Sequence, residues 1–324
     1  MIKPITLGNK SFPVNIIQGP LAGISCAPFR RLTWKYSQPA FSATEMISCK
    51  TLIHQPVSLQ KRFVHKASDE GPVAFQLASN DPIELAEGVK RVTDYGADLI
   101  DLNCGCPVKK IRSKGSGSLL LTQPVKLYKL ICAMRESTHL PISIKIRVDG
   151  GSNEKHNAEI VKVVNESGLD FLIVHGRHWT EHYETSCRYD EIQFFADQLK
   201  IPVIGNGDVS CVNSLRKMLA TGCQGVMIGR AGVGQPWLIS QLITEMKNEI
   251  FTQPSIQEIG HMFIEHVEQL AALLINEKFA ILQARKFAKY YAKKLDNRSE
   301  FCEVINQSTS LLALKIATYH YFCY

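Results

Sequence analysis

Polar side chains and glycines follow short apolar runs at seven places in the first 230 residues of the chain. They include the Cys106 thiol between Gly105 and Pro107, the Lys145 ammonium and the His175 imidazole. A thiol can donate a proton, a fixed cation can stabilise an anion, and an amide can pair with a polar ring edge. The seven segments are 18–23, 76, 103–107, 145–147, 175–177, 206–208 and 229–230. Brought to one place, they would form a polar binding pocket; the alternative is that they cap strands or pair with each other.

The apolar runs alternate with amphipathic helical stretches, which is typical of a parallel sheet. Strands are predicted at 14–18, 41–44, 73–76, 99–103, 142–146, 171–175, 203–206 and 225–228, and the clearest helices at 83–95, 124–135, 156–167 and 212–221. Eight such units predict an α/β fold with a (β/α)8 TIM barrel, in which the ends of the strands share one rim. An open doubly wound sheet is the alternative, although its usual G-x-G-x-x-G segment is absent.

After Trp237 the pattern becomes entirely helical. Ser255 and Glu258 have the spacing of a capping box, and apolar residues follow at helical intervals. A second helix is predicted over about 278–295, with shorter helices over 299–322. We therefore predict a catalytic barrel domain over 1–245 and a small all-α domain over 250–324.

Composition excludes several classes of protein. The 324 residues are 45% hydrophobic and 21% charged, which excludes fibrous repeats and extended disorder. No apolar stretch approaches the roughly 20 residues of a membrane helix, and segment 1–12 lacks the apolar core of a secretory signal, so we expect a cytosolic protein that does not enter membranes. The ten cysteines contain no C-x-x-C pair, and His178 and His182 lie in a predicted loop, so no metal site is expected. A net charge of +7 permits a polyanionic partner without requiring one.

The segment 101–109, Asp-Leu-Asn-Cys-Gly-Cys-Pro-Val-Lys, resembles the N-x-G-C-P-x-x-K motif of tRNA-dihydrouridine synthases. Segments 19–23 and 28–30 are similar to the family's A-P-M-A-G and P-F-R segments. Further similar segments follow in the same order at 144–147, 174–177, 205–208, 227–230 and 235–237. The resemblance spans essentially the whole chain and is strongest to the bacterial B-type branch. Leu21, Cys26 and His178 depart from the residues common at their positions.

The resemblance implies reduction of the C5=C6 bond of a uridine in tRNA by reduced FMN, which NADPH regenerates. Cys106 would be the catalytic proton donor, since an ordinary thiol is largely protonated at neutral pH. Lys145 would stabilise the reduced flavin, and the loops after strands seven and eight would hold its phosphate. The expected cofactor-binding residues are Pro20, Leu21, Ala22, Gln76, Lys145, His175, Asn206, Gly207, Asp208, Gly229 and Arg230. Asp208 is expected to contribute its backbone N–H, or to cap the next helix with its side chain.

The expected tRNA-binding residues lie on the rim and in the helical domain. They are Asn103, Lys109, Arg177, Arg285, Lys286 and Lys289. The spacing of Arg285 and Lys289, continued by Lys293, could present one basic helix face to phosphates; the alternative is a solvated face. A monomer is the expected state.

Two other functions fit parts of the same pattern. One is an FMN barrel oxidoreductase that acts on a small pyrimidine of the dihydroorotate or dihydropyrimidine type. The other is a non-catalytic RNA-binding barrel.

Overall fold

The computed structural model describes residues 1–150 and 154–323. Its nine barrel strands run in parallel: β3 (Ile16–Gln18), β4 (Ser42–Ala43), β5 (Ile47–Ser48), β6 (Val73–Ala78), β7 (Leu99–Cys104), β8 (Ile142–Arg147), β9 (Phe171–His175), β10 (Val203–Asn206) and β11 (Gly225–Ile228). They are ordered β4-β3-β11-β10-β9-β8-β7-β6-β5, and β4 also pairs with β6, so the sheet closes on itself. The predicted (β/α)8 barrel is confirmed, with β4 and β5 together taking the place of its second strand.

This second barrel strand is divided because Thr44 and Glu45, between β4 and β5, use their side chains in hydrogen bonds with other segments. The Thr44 hydroxyl donates to the carbonyl of Glu45 (2.9 Å) and accepts the backbone N–H of Gln76 (3.0 Å). The buried Glu45 carboxylate accepts from Arg62 and from the backbone N–H of Gly23. The strand predicted over 41–44 is therefore the short strand Ser42–Ala43, and a second short strand that was not predicted, Ile47–Ser48, follows after a polar interruption.

A short antiparallel hairpin, β1 (Ile5–Leu7) and β2 (Lys10–Phe12), precedes the barrel. Its buried Leu7 and Phe12 belong to the same apolar cluster as Phe41 and Phe171, which lie inside the barrel near the starts of their strands. The hairpin thus closes the barrel at the end where the strands begin, and leaves the opposite end open.

Helices cover the outside of the barrel: α1 (Ala27–Ser37), α2 (Cys49–His54), α3 (Val57–Val64), α4 (Pro82–Asp94), α6 (Pro124–Ser137), α7 (Glu154–Glu166), α8 (Tyr189–Gln198), α9 (Val212–Leu219) and α10 (Leu238–Met246). The one-turn helix α5 (Lys109–Arg112) lies in the loop after β7. The start of α4 shows why the sequence predicts it well. The Asp81 carboxylate accepts the backbone N–H groups of Ile83 (2.8 Å) and Glu84 (2.9 Å), and Pro82 occupies the first turn.

Four helices form the C-terminal region: α11 (Ile256–Leu274), α12 (Glu277–Tyr291), α13 (Arg298–Gln307) and α14 (Leu311–Cys323). The predicted capping box is confirmed, since Ser255 and Glu258 bond reciprocally at the start of α11. The helix predicted over 278–295 is shorter than expected, because α12 gives way at Tyr291 to a 3-10 turn.

The helical region shares a hydrophobic core with the barrel. Phe29 of α1 and Trp237 of the loop after β11 are buried in one cluster with Phe263 and Phe287 of the C-terminal helices. Gly234 has a φ of +70° and lies directly against the backbone of α12. The two parts are therefore packed together and not joined only by a linker.

No helix within the described ranges is both long and apolar enough to cross a membrane.

Candidate active site

The open end of the barrel contains a cavity of about 640 Å³ at the carboxyl ends of its strands. Fourteen of the residues predicted for the site line this cavity: Pro20, Leu21, Ala22, Gln76, Asn103, Cys106, Lys145, His175, Arg177, Asn206, Gly207, Asp208, Gly229 and Arg230. Lys109, Arg285, Lys286 and Lys289 lie outside it. The structure therefore brings the strand-end residues together, as the barrel topology requires.

Cys106 is held in a turn at the end of β7. The Asn103 side-chain oxygen accepts the backbone N–H of Cys106 (2.9 Å) and that of Gly105 (3.3 Å). The Cys106 carbonyl accepts the backbone N–H of Ser118 (3.1 Å), and a Cβ on Gly117 would lie only 2.7 Å from that carbonyl oxygen. Gly117 also has a φ of +65°, so this turn requires glycine there. The half-buried thiol is thus presented to the cavity on a turn fixed from both sides.

A chain of side-chain hydrogen bonds links Asn103 to the barrel interior. Asn103 donates to the Gln76 carbonyl oxygen (2.8 Å), and Gln76 donates to Asp101 (2.7 Å). Asp101 also accepts from the hydroxyl of Ser143 (2.7 Å). Burial raises the pKa of Asp101 to about 6, although both hydrogen bonds favour its ionised form. These bonds fix the orientation of the Gln76 amide, which has a donor and an acceptor with capacity for a ligand.

Lys145, near the end of β8, is one of the cations that line the cavity. Its ammonium donates to the side-chain oxygen of Asn206 (2.9 Å), and Asn206 donates in turn to the carbonyl of Met227 (2.8 Å). Burial, together with the nearby Arg147, lowers the pKa of Lys145 to about 8. One hydrogen bond leaves the ammonium with donors available to an anionic or carbonyl-bearing ligand.

Arg177 is buried and bonded to protein groups. Its guanidinium donates to the carbonyls of Thr185 (2.6 Å) and Tyr183 (3.1 Å), to the Asp208 carboxylate (2.5 Å) and to a ring nitrogen of His175 (3.3 Å). These bonds fix the loop after β9 beside the cavity. Arg177 also lines the cavity, and its role in binding substrate stays a prediction.

The same contacts exclude one of the two roles expected for Asp208, the side-chain cap of the next helix, and the role of its backbone N–H stays a prediction. Its side chain pairs with Arg177 and accepts the backbone N–H of Cys187 (3.1 Å), whereas Ser214 and Cys211 cap α9.

Burial and the surrounding cations lower the pKa of His175 far below its usual range, so its imidazole is neutral.

The loops after β10 and β11 form the remaining wall, where Gly207 and Gly229 lie. A Cβ on Gly229 would meet nothing within 4 Å, so its backbone is open to a ligand. The Arg230 guanidinium lies 3.6 Å from the centre of the Tyr183 ring. An exposed backbone beside a guanidinium is a suitable environment for a phosphate group.

Sequence reasoning noted Arg147 beside Lys145 but did not assign it to the site. Arg147 is buried, lines the cavity, interacts electrostatically with Cys106 and donates to the carbonyl of His178 (3.0 Å). The sequence carried a signal for it, because residues two apart on a strand share one face. Tyr183 and Met46 also line the cavity, and neither was predicted.

The predicted basic face on α12 is not a continuous stripe. Arg285 is half-buried and donates to the carbonyl of Ser308 (3.3 Å), so its charge lies against α13 and α14. Lys286 and Lys289 are exposed, and Lys286 lies beside Gly23 on the barrel rim. Lys109 is exposed in α5, immediately after the Cys106 turn.

Within residues 1–150 and 154–323, no group of three or more His, Cys, Asp or Glu side chains could hold a metal ion. The ring of His178 is bonded instead to the hydroxyl of Thr180 (2.7 Å).

Comparisons with known proteins agree with this architecture. A morphinone reductase structure superposes with a TM-score of 0.56 at 11% identity, covering 78% of this chain and 90% of that one, which supports the barrel fold. A probable tRNA-dihydrouridine synthase of Rickettsia conorii is 32% identical over 96% of this chain and 94% of its own length. The tRNA-dihydrouridine synthase B of Pasteurella multocida is 30% identical over 94% of this chain and 91% of its own.

The family model for dihydrouridine synthase (Dus) matches residues 17–319, and this span includes the whole cavity and most of the helical region. The resemblance drawn from the sequence motifs is thereby confirmed: the chain belongs to the dihydrouridine synthase family.

Proposed function

We propose that the protein reduces the C5=C6 bond of specific uridines in tRNA, with FMN as cofactor, NADPH as reductant and Cys106 as proton donor. One observation carries the proposal most directly. The Cys106 thiol, the oriented Gln76 amide and the Lys145 ammonium all line the same cavity at the mouth of the barrel. An acid, a polar pairing group and a cation are what reduction of a pyrimidine beside a flavin requires.

The chemistry of the cavity fits FMN. Gln76 suits the pyrimidine edge of the flavin ring, and Lys145 suits its N1/O2 side, where negative charge develops on reduction. Pro20, Leu21 and Ala22 offer backbone and small apolar surface to the ring. Gly207, Gly229 and Arg230 would receive the phosphate. Asn206 accepts a hydrogen bond from Lys145 and so positions its ammonium. His175 and Asp208 are both bonded to Arg177 and position its guanidinium. The bound, reduced flavin would supply a hydride to one carbon of the uracil ring.

The residues of the chain supply the second half of the addition. Cys106 gives its thiol proton to the other carbon, and solvent then reprotonates the sulfur. Asn103 holds the turn that presents the thiol, and Arg147 lies beside it as a cation able to stabilise the sulfur after it has lost its proton. NADPH provides the two electrons of each turnover.

The substrate base must leave the tRNA stack to reach the cavity, because the reacting groups lie inside the barrel mouth. We assign backbone contacts with tRNA to Lys109 on the rim and to Lys286 and Lys289 on α12, which are exposed. Arg285 contributes by fixing α12 against Ser308. We propose that the enzyme acts as a monomer in the cytoplasm.

Family membership and the exposed lysines near the cavity favour this function over reduction of a free pyrimidine. Free uracil or dihydroorotate would need no contacts beyond the cavity. A non-catalytic RNA-binding barrel would have no use for a thiol beside a buried cation.

The proposal is tested by Cys106→Ala with Cys132→Ala as the matched control, since Cys132 lies on α6 outside the cavity. Loss of a general acid costs roughly 10²- to 10⁴-fold in rate. We therefore expect Cys106→Ala to lower dihydrouridine formation in unmodified tRNA by that factor, while flavin content and flavin reduction by NADPH are kept. Turnover of free uracil or dihydroorotate in place of tRNA would support the small-pyrimidine function. Absence of turnover in the parent protein with any of these substrates would support the binding module.

A further inference from the structure

Two loops meet above the cavity, and one stacked pair of side chains joins them. The first loop follows β7 and carries Cys106 and α5; the second follows β9 and spans 176–188. The guanidinium carbon of Arg112, in α5, lies 3.4 Å from the centre of the Trp179 ring, in the second loop. This is a close cation–π contact.

Arg112 is connected to Cys106 by two hydrogen bonds through a single residue. Its Nη1 donates to the side-chain oxygen of Ser118 (2.8 Å), and the backbone N–H of Ser118 donates to the Cys106 carbonyl (3.1 Å). Ser118 is buried, and Gly117 packs without spare room against Cys106. A displacement of Arg112 would therefore reach the turn that holds the thiol.

Trp179 is connected to an equally well-fixed support. The preceding residue, His178, offers its carbonyl to Arg147 (3.0 Å) and its backbone N–H to Glu181 (2.8 Å). Glu181 pairs with Arg188, and Arg177 holds the rest of the loop from below. The Trp179 ring is thus a stationary surface against which the Cys106 loop can rest.

We propose that Arg112 and Trp179 are a positioning pair that keeps the Cys106 loop closed on the loop after β9, so that the thiol is held over the substrate base. The proposal rests on the proposed function for the reaction that is positioned, but the closure itself is a property of the free protein. Neither side chain belongs to the apolar clusters of the fold, and both are only partly buried. Their removal should therefore loosen the loop without unfolding the protein.

The kinetic test compares Trp179→Leu, which removes the aromatic face, with Trp179→Phe, which keeps one. Breaking a contact of this kind shifts a closed-to-open equilibrium by roughly 2- to 30-fold. In stopped-flow measurements we expect Trp179→Leu to slow oxidation of the reduced flavin by tRNA by up to that factor, because the rate follows the closed fraction of the loop. Flavin reduction by NADPH should be unchanged, since it does not use Cys106, and Trp179→Phe should restore most of the rate.

A second variant separates loop closure from RNA binding. Arg112→Met should reproduce the effect of Trp179→Leu, and the double variant should be no slower than either single variant, because both break the same contact. If Arg112→Met weakens tRNA binding and its salt dependence while Trp179→Leu leaves the rate of flavin oxidation unchanged, Arg112 is an RNA contact and the positioning pair is refuted.

A third measurement does not depend on any activity. Alkylation of Cys106 by iodoacetamide, followed by peptide mass spectrometry, reports the accessibility of the half-buried thiol, which rises when the loop opens, with exposed Cys211 as the internal standard. We expect Trp179→Leu to raise the Cys106 rate relative to Cys211 by roughly 2- to 30-fold, and Trp179→Phe to raise it much less. Equal Cys106 rates in wild type and Trp179→Leu would overturn the proposal. A raised rate in a protein that does not turn over tRNA would retain the closure and refute only the proposed function.

Discussion

Gly234 lies where the loop after β11 meets α12, and a single added methyl group tests how the barrel and the helical region hold together. An ideal Cβ there would lie 2.5 Å from the carbonyl carbon of Tyr290 and 2.6 Å from the backbone nitrogen of Tyr291. Backbone atoms cannot turn aside as the end of a flexible side chain can. Gly234→Ala therefore requires the loop or the helix to shift.

The expected cost has two parts. The φ of +70° at Gly234 is left-handed, which costs an alanine roughly 1–2 kcal/mol. Forcing the methyl group against α12 adds about 1–3 kcal/mol of overpacking. Gly96→Ala is the matched control, because Gly96 has a φ of +85° and a Cβ there would meet nothing within 4 Å. Gly96→Ala should cost only the first part, and the difference between the variants isolates the second.

Calorimetric unfolding measures both variants. With an unfolding entropy of about 2.1 cal/mol/K per residue, one kcal/mol lowers the Tm of this 324-residue chain by about 1.5 °C, so Gly234→Ala should fall at least about 1.5 °C below Gly96→Ala. Since α12 also carries Lys286, which lies beside Gly23 on the barrel rim, Gly234→Ala should weaken tRNA binding, whereas Gly96→Ala should not. Equal Tm values for the two variants would refute the reasoning that close backbone packing at Gly234 holds the helical region to the barrel.

Three further predictions concern single residues. The Lys145 ammonium loses its proton as the pH rises through about 8, so flavin affinity should fall between pH 7 and pH 9; Lys145→Met should bind roughly ten- to a hundredfold more weakly and lose this pH dependence in fluorescence titrations. Glu70→Gln leaves the Arg30 guanidinium buried without its carboxylate, and chemical unfolding should show a loss of about 3–5 kcal/mol. Phe263→Ala empties the centre of the C-terminal core and should cost about 3–5 kcal/mol by the same measurement, with the exposed Phe279→Ala close to neutral.

The barrel could be predicted from the sequence because its determinants are local. Buried parallel strands form continuous apolar runs, and helix starts such as Asp81-Pro82 carry their own hydrogen-bonding and dihedral preferences. The division of the second barrel strand into β4 and β5 could not be predicted in this way. It depends on Glu45 bonding to Arg62 and to the backbone of Gly23, which are close to Glu45 only after folding.

The same limit applied to the site. Topology alone brought the strand-end residues to one cavity, so their types and order were sufficient to place them. The hydrogen-bond partners of the charged side chains could not be predicted in the same way. Arg177 is directed inward by Asp208 from the next strand end, and Arg285 is drawn to the carbonyl of Ser308 on a different helix. Sequence spacing identifies which residues share a face, but it does not identify which charged groups are already bonded to partners distant in the sequence.

The core shared by α1 and the C-terminal helices has a consequence for how the protein is made. Phe29 leaves the ribosome early, but Phe263, Phe287 and Phe322, which cover the same cluster, are synthesised only in the last fifth of the chain. Until then one face of α1 is an exposed apolar surface on an otherwise completed barrel, which is the kind of surface that chaperones bind and that promotes aggregation. Premature termination after the last strand would therefore give a barrel with all of its strands but with the apolar face of α1 exposed. Such truncated chains should be removed by cellular quality control.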